Sequence, residues 1–244
     1  MVNSLIYDSN FSYLLKARME MRGFIVEDEK LEQLSAYRRE LMEWNKIMNL
    51  TSLTEDSDII DKHFIDSLLL FRYEKLKDNM RIADVGTGAG FPGIPIKICK
   101  SDVQLLLLES IAKKARFLSH IVGILALEGV SIANQRAEVL GQMPEHRESY
   151  DIAVARCVAP LRTLAEYCLP LVQIGGKFIA YKGQDIEMEL KEAESAIAEL
   201  GGKLVAVHRD ESYPDRRALV FIEKQKRTPK QYPRRVGLPA KRPL

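Results

Sequence analysis

The segment with the clearest chemical meaning is a glycine-rich stretch near residue 90. Gly86, Gly88 and Gly90 alternate with other residues directly after an apolar run that contains Asp84. Glycines let the backbone turn sharply and bring its N–H groups close to a bound ligand. A tight turn without a ligand is the alternative, but one turn rarely needs three alternating glycines. The segment therefore predicts a ligand-binding loop.

Two classes of cofactor fit this spacing. Gly88, Gly90 and Gly93 match the GxGxxG pattern of dinucleotide sites such as those for NAD. Asp84 followed by Gly86, Gly88 and Gly90 matches the D-x-G-x-G-x-G pattern of S-adenosylmethionine (SAM) sites. A carboxylate at this position would repel a pyrophosphate, whereas it suits the cationic amine and sulfonium of SAM. The loop therefore favours SAM, with NAD as the alternative.

Residues after the following strands complete a predicted cleft, because open α/β sheets bind ligands at the carboxyl ends of their strands. Glu109 is expected to hold ribose hydroxyl groups. Ala137 and Glu138 are expected to frame the adenine, although Glu138 is also simply a favourable acid at a helix N-terminus. Arg156 follows the fourth strand, where methyltransferases place residues that meet the methyl acceptor. Its alternative role is a structural ion pair with Glu109 or Glu138.

Cys157 stands next to Arg156 and raises the possibility of a nucleophile for cytosine C5 methylation. No Pro-Cys element accompanies it, so a buried free thiol is the better interpretation.

The elements that must position these residues form an α/β pattern. Strands alternate with helices after residue 80, which predicts a Rossmann-like, mostly parallel sheet covered on both faces. Four leucines at 105–108 are typical of a strand buried on both faces. The last two strands have only a short connection over 210–217, which predicts an antiparallel hairpin. The predicted strands are 81–85, 103–109, 130–133, 152–155, 177–181, 203–208 and 218–223, and the helices are 92–100, 110–128, 160–172 and 185–200.

The two ends of the chain differ from this centre. Residues 1–75 show apolar residues at helical spacing. Residues 224–244 hold eight Lys and Arg and no acid, which gives this tail +8 and leaves −6 for the rest. Its four prolines exclude a regular helix or a central strand, so we expect it to be extended and mobile until it meets a polyanion. The predicted domains are a helical extension (1–75), a SAM-binding domain (76–224) and a basic tail (225–244).

Composition excludes several classes of protein. Apolar residues make up 46% of the 244-residue chain and charged residues 29%, which is typical of a globular protein and not of a disordered one. No apolar run reaches the ~20 residues that span a bilayer. Three cysteines without metal-ligand spacing favour a reducing cytoplasm and predict no metal site.

Several of these segments together resemble the RsmG family, also called glucose-inhibited division protein B. The resemblance covers nearly the whole chain and is most specific where the glycine loop continues into Phe-Pro-Gly-Ile-Pro. Members of this family are SAM-dependent methyltransferases that modify N7 of a guanine in 16S ribosomal RNA. The matching elements are residues 45–51, 63, 66–67, 84–95, 109–110, 136–138, 155–156, 182–183 and 228–235.

The resemblance implies a cofactor and a set of contacts. SAM is the implied cofactor, and 16S ribosomal RNA or the small ribosomal subunit is the implied partner. We expect a cytoplasmic monomer without a stable protein partner. By resemblance, SAM is contacted by Gly86, Phe91, Ala137, Glu138 and Arg156. The loop pattern and the strand ends add Asp84, Gly88, Gly90 and Glu109.

The implied reaction makes modest chemical demands. Guanine N7 has a lone pair and no proton to lose, so methyl transfer to it needs no general base. Catalysis is expected to come from holding N7 in line with the methyl group. Arg156 is predicted to orient guanine O6 or the SAM carboxylate. His63 and Lys182 are weaker candidates for RNA contact, since a packed histidine and a sheet-edge lysine are the ordinary alternatives.

The basic tail is the second predicted functional element. Lys230, Arg234 and Arg235 are expected to contact phosphates, and Tyr232 is expected to stack on an unpaired base. A solubilising terminus is the alternative. On this interpretation, deletion of residues 226–244 weakens RNA binding and leaves SAM binding intact.

Overall fold

The computed structural model describes residues 2–183, 185–210 and 217–244. Within these ranges, strands of one sheet alternate with helices along the chain. The predicted turn at 211–216 lies outside the described residues. The strands are β1 Arg81–Val85, β2 Gln104–Leu108, β3 Val130–Ala133, β4 Tyr150–Arg156, β5 Val172–Gly183, β6 Gly202–Asp210 and β7 Arg217–Lys224.

The order of strands in the sheet is β3-β2-β1-β4-β5-β7-β6. The pairs from β3 to β5 are parallel, whereas β7 runs antiparallel to both β5 and β6. The predicted Rossmann-like sheet with an antiparallel end is therefore confirmed. Its strand order changes direction at β1, so the carboxyl ends of β1 and β4 flank the position where such sheets bind ligands.

Helices occupy both faces of the sheet and precede it in the chain. A π-helix, Ile59–Ile65, lies between the short α-helices Asp56–Asp58 and Asp66–Leu68. Among the described residues, no helix is long and apolar enough to cross a membrane. The α-helices are α1 Val2–Met21, α2 Asp28–Met48, α3 Asp56–Asp58, α4 Asp66–Leu68, α5 Leu70–Tyr73, α6 Gly93–Cys99, α7 Ala112–Ile124, α8 Ala137–Leu140, α9 Leu161–Cys168, α10 Glu187–Glu199 and α11 Leu238–Lys241.

The helices before the sheet form part of its core. Side chains alternate across a strand, so neighbouring residues of β1 face opposite sides. Ile82 belongs to one apolar cluster with Leu34 and Phe64 of the N-terminal region. Ala83 belongs to a second cluster, which includes Leu164 of α9. Each large side chain buried in this way contributes roughly 1.5–3 kcal/mol. The N-terminal region thus packs on the same face of the sheet as α6 and α7.

The C-terminal tail is docked on the body of the protein. Tyr232 is buried, and its hydroxyl group contacts the carboxylate of Glu199. Arg147 donates hydrogen bonds to the carbonyl oxygens of Thr228 (2.8 Å) and Tyr232 (2.7 Å). The expectation of an extended, mobile tail is therefore wrong. The prolines bend this segment. The guanidinium group of Arg147 donates hydrogen bonds to carbonyl groups of the tail that have no partner in a helix or strand.

Only part of the tail's charge faces solvent. Arg234 forms a bidentate pair with the fully buried carboxylate of Glu166, with N–O distances of 2.6 to 3.1 Å. Lys224 is also fully buried and donates to Thr228 Oγ1 at 2.5 Å. Arg234, which the sequence predicts to contact phosphates, thus forms an ion pair within the protein. The exposed cations of the tail are Lys226, Arg227, Lys230, Arg235, Lys241 and Arg242.

Asp84 ties the end of β1 to the start of α6. Its fully buried Oδ2 accepts hydrogen bonds from Thr87 Oγ1 (2.6 Å) and from the Gly93 amide (2.7 Å). A Cβ atom on Gly93 would lie 2.7 Å from the same oxygen, so only glycine fits there. Oδ1 is buried without a hydrogen-bond partner among the described residues. Burial is the main reason that the pKa of Asp84 rises from 3.8 to about 6, against the effect of these hydrogen bonds.

The raised pKa of Asp84 predicts a pH-dependent stability. The unfolded carboxyl group ionises near its ordinary pKa, whereas the folded one resists ionisation until about pH 6. The free energy of unfolding should therefore fall as the pH rises from about 4 to about 6, by on the order of 2–3 kcal/mol. The variant D84N keeps an acceptor oxygen and should lack this decrease, which urea unfolding at several pH values measures.

Asp102 provides a control of opposite sign. It is exposed and pairs with Lys100, which lowers its pKa. The variant D102N should therefore lose a small stabilisation that the wild type has at higher pH. Parallel pH dependence of the wild type and D84N would contradict the assignment of the decrease to Asp84.

Candidate active site at the carboxyl edge of the sheet

A cavity of about 380 Å³ opens at the carboxyl ends of β1 and β4. Its volume lies in the range of small-molecule sites. It brings together predicted residues from distant parts of the chain, namely Gly86, Gly88 and Phe91 of the loop with His63 and Arg156. The lining residues are Leu50, Thr51, Ser52, Leu53, Lys62, His63, Asp66, Gly86, Thr87, Gly88, Ala89, Phe91, Lys114, Arg156, Cys157 and Arg217.

A second cavity of about 70 Å³ shares Gly86 with the first. It is lined by Ala137 and Glu138 on one side and by apolar parts of Val158 and Tyr167 on another. Gly86 has a φ of +70°, and a Cβ atom there would lie 2.6 Å from Val158 Cγ2. The close approach of the Val158 side chain, together with the positive φ, therefore requires glycine at this position.

Glu109 holds the glycine loop in place. Its Oε2 accepts a hydrogen bond from the Gly88 amide at 3.0 Å, and its Oε1 accepts one from the Ile111 amide at 2.7 Å. The side chain is buried, with 5% of its surface exposed. The structure thus places Glu109 beside the loop, with both carboxylate oxygens engaged by backbone N–H groups, and its contact with ribose hydroxyl groups stays a prediction.

Arg156 makes its ion pair with a residue that the sequence did not suggest. Its Nη1 lies 2.7 Å from Asp66 Oδ2 and 2.9 Å from the Lys62 carbonyl oxygen. The predicted alternative partners, Glu109 and Glu138, are engaged elsewhere, so that expectation is wrong. Asp66 lies 90 positions earlier in the chain. No local pattern reports such a pairing, although 66–67 is among the segments that match the RsmG family.

His63 is the neighbour of Arg156 on the cavity wall. Arg156 Nη2 lies 3.1 Å from His63 Nδ1, and the His63 ring stacks on Phe91 with centroids 4.3 Å apart. Burial and the charge of Arg156 lower the pKa of His63 to about 3, although the Lys62 carbonyl favours the protonated ring. His63 is therefore a neutral, partly buried member of the site rather than a surface histidine.

Phe91 is packed on both faces. His63 covers one face, and Tyr37 stacks with it at a centroid distance of 5.1 Å. The guanidinium carbon of Arg156 lies 5.1 Å from the ring centroid. Phe91 therefore organises the wall of the cavity, and its ring faces are already in use.

Thr51 is the site residue to which sequence reasoning gave no role. Its Oγ1 lies 2.8 Å from His63 Nε2 and accepts a hydrogen bond from the Leu53 amide at 3.1 Å. The Asn45 side chain holds the Thr51 backbone through two hydrogen bonds of 2.9 Å. The polar turn that follows α2 is the signal in the sequence, but nothing local says that it faces a cavity.

The remaining predicted residues lie apart from this group. Lys182 donates hydrogen bonds to Glu189 Oε1 (2.5 Å) and to the Ala159 carbonyl (2.8 Å), so its amine is engaged at the sheet edge. Glu138 Oε1 accepts a hydrogen bond from the Gly237 amide at 2.9 Å. The tail therefore reaches the second cavity, which contradicts the view of the tail as independent of the cofactor site.

Two further observations concern cysteines and metals. Cys157 is exposed at the cavity, with a φ of +57°, so the expectation of a buried thiol is wrong. The buried thiol belongs to Cys168. Among the described residues, no cluster of three His, Cys, Asp or Glu side chains is arranged to hold a metal ion.

Comparison with solved structures shows the fold. The chain is similar to the YcgJ protein from Bacillus subtilis, with a TM-score of 0.53 and 12% identity over 67% of this chain and 100% of that one. It is also similar to M. jannaschii TYW2, solved in complex with AdoMet, with a TM-score of 0.53 and 12% identity over 72% of this chain and 79% of that one.

Comparison of sequences shows the family. The protein from Alkaliphilus metalliredigens named ribosomal RNA small subunit methyltransferase G is 44% identical, over 95% of this chain and 98% of its own length. The protein of the same name from Roseiflexus castenholzii is 46% identical, over 91% of this chain and 95% of its own length. The family model GidB, described as rRNA small subunit methyltransferase G, matches residues 30–219. With relatives this similar over nearly their whole length, the chain belongs to the rRNA small subunit methyltransferase G family.

Proposed function

We propose that the protein transfers a methyl group from SAM to N7 of a guanine in 16S ribosomal RNA. The observation that carries this proposal is the cavity, in which the glycine loop of a family member meets four basic side chains. Among the described residues, the cavity is lined by Lys62, Lys114, Arg156 and Arg217 and by one acidic residue, Asp66. A wall of this charge suits an RNA substrate, since phosphates supply most of the affinity for nucleic acids.

The residues present fit SAM as the cofactor. The small cavity beside Ala137, Val158 and Tyr167 offers apolar surface for an adenine ring, and the Glu138 carboxylate lies at its border. Glu109 stands at the end of β2, where a ribose hydroxyl group would replace the backbone N–H groups that it binds now. The Asp84 side chain is buried, holds the glycine loop through its hydrogen bonds, and does not line the cavity. When bound, SAM supplies an electrophilic methyl group on its sulfonium centre.

The protein's own contribution is orientation. Guanine N7 gives up no proton, so the reaction needs no base from the wall of the cavity. His63 is neutral because its pKa is lowered to about 3, and both ring nitrogens are engaged. Arg156 orients His63 and stacks against Phe91, so it is a positioning residue for this wall. Alignment of reacting groups in a rigid site supplies up to about 7–11 kcal/mol of the barrier.

The exposed charges of the tail extend the RNA-binding surface. The docked tail exposes four of its cations along this stretch, namely Lys226, Arg227, Lys230 and Arg235. Residues 225–244 then act both as an RNA contact and as a support for the second cavity. We place the activity in the cytoplasm and assign it to the monomer.

The reaction predicts a defined product. Purified protein, labelled SAM and small ribosomal subunits from a strain lacking this gene should yield 7-methylguanosine, which nucleoside mass spectrometry identifies after digestion of the RNA. A different methylated nucleoside would support methyltransferase activity and overturn guanine N7 as the acceptor. Absence of transfer despite SAM binding would contradict this substrate.

The glycine loop predicts a loss of cofactor binding in G86A. The added methyl group would lie 2.6 Å from Val158 Cγ2, at a φ of +70° that favours glycine. SAM affinity measured by calorimetry should fall about tenfold or more. Gly123 provides the matched control, since a Cβ atom there meets nothing within 4 Å. An equal SAM affinity in G86A and G123A would contradict the role of Gly86.

The docked tail predicts that its two roles separate by mutation. R234A leaves the buried Glu166 unpaired, at a cost of about 3–5 kcal/mol, and should release the segment that holds Glu138. SAM affinity should fall about fivefold or more. R235A, at the exposed next position, should leave SAM affinity unchanged while weakening RNA binding and reducing its salt slope by about 0.7–0.9. Unchanged SAM affinity in R234A would contradict the coupling.

A further inference from the structure

The hydroxyl group of Thr51 has both of its acceptor positions filled. The Leu53 amide donates to Thr51 Oγ1 at 3.1 Å, and His63 Nε2 lies 2.8 Å from the same oxygen. A hydroxyl oxygen accepts two hydrogen bonds and donates one. If His63 donates to this oxygen, the Thr51 hydroxyl group can form a further hydrogen bond only by donating its own proton.

The direction of the His63 hydrogen bond follows from Arg156. A guanidinium group donates hydrogen bonds and never accepts them. Arg156 Nη2 lies 3.1 Å from His63 Nδ1, and a hydrogen bond between these two atoms requires Nδ1 to be the acceptor. The ring is neutral, since burial and Arg156 lower the pKa of His63 to about 3. A neutral ring that accepts at Nδ1 carries its proton on Nε2, so His63 donates to Thr51.

The remaining proton of Thr51 is placed at the cavity. Thr51 lines the same space as Gly86, Phe91 and Arg156, and its side chain is partly exposed. Among the hydrogen bonds of the described residues, Thr51 Oγ1 donates none. The two hydrogen bonds with Asn45 fix the Thr51 backbone, and the contacts with His63 and the Leu53 amide fix its hydroxyl oxygen.

We infer that Thr51 is the specificity-determining donor of this site and that its hydroxyl proton binds guanine O6. The inference rests on the proposed function. Guanine presents two acceptors side by side, N7 and O6, whereas adenine presents N7 beside an amino donor. A hydroxyl group that can only donate binds O6 and has no lone pair left for the adenine amino group. The chain from Arg156 through His63 to Thr51 thus sets which purine places its N7 in the site.

Substitutions of Thr51 test this role. T51V keeps the shape of the side chain and removes the hydroxyl group, so kcat/KM for 7-methylguanosine formation on small subunits should fall about tenfold or more, with SAM affinity unchanged. T51S should restore most of the activity. T54V is the matched control, because Thr54 is exposed in the same turn and does not line the cavity. Wild-type activity in T51V, failure of T51S to restore it, or an equal loss in T54V would overturn the inference.

A second measurement uses the wild-type protein and does not depend on the folding of T51V. RNA is prepared with guanine or with 2-aminopurine at the methylated position; both bases keep N7, and only guanine has O6. Methylation of the 2-aminopurine RNA should be about tenfold slower or more. Equal rates would overturn the role of Thr51. Absence of 7-methylguanosine from the guanine RNA and from intact subunits would instead contradict the proposed function.

Discussion

A buried carboxylate, that of Asp66, determines how the rest of the site is arranged. Asp66 is 1% exposed and pairs with Arg156 at 2.7 Å and with Arg217 at 3.1 Å. The three residues come from α4, from the end of β4 and from the start of β7. A carboxylate buried without partners would cost several kcal/mol, so the N-terminal helices can dock on the sheet only where both arginines reach it. This docking brings His63 and Thr51 over the glycine loop.

The same arrangement makes the wall of the cavity rigid. Arg156 is held by Asp66, His63 is held neutral by Arg156, and Phe91 lies between His63 and Tyr37. Each side chain fixes the orientation of the next, and rigidity of this kind is what an alignment mechanism requires. The proposed transfer of a methyl group to guanine N7 involves no proton transfer, so alignment is the main demand on these side chains.

Local patterns in the sequence predicted the fold well. The predicted bounds of β1 and β3 match the structure, and the closing hairpin is antiparallel as expected. The RsmG resemblance is confirmed by the family match over residues 30–219. Alternation and glycine spacing are properties of neighbouring residues, and they suffice for these features. The pairing of Arg156 with Asp66 and the role of Thr51 depend on contacts between distant segments, which no periodicity encodes. The tail misled the prediction because its composition resembles that of disordered segments, whereas Arg147 and Glu166 supply its partners.

We infer that hydrogen bonds run in one direction from Arg156 through His63 to the cavity. Nitrogen-15 NMR of the imidazole rings tests it most directly, because the shifts of the two ring nitrogens report which one carries the proton. The chain has four histidines, and comparison with H63Q assigns the signal of His63. We expect a neutral ring protonated at Nε2 between pH 5 and 8, with no titration of His63 in this range. A proton on Nδ1, or a positively charged ring near neutral pH, would contradict it.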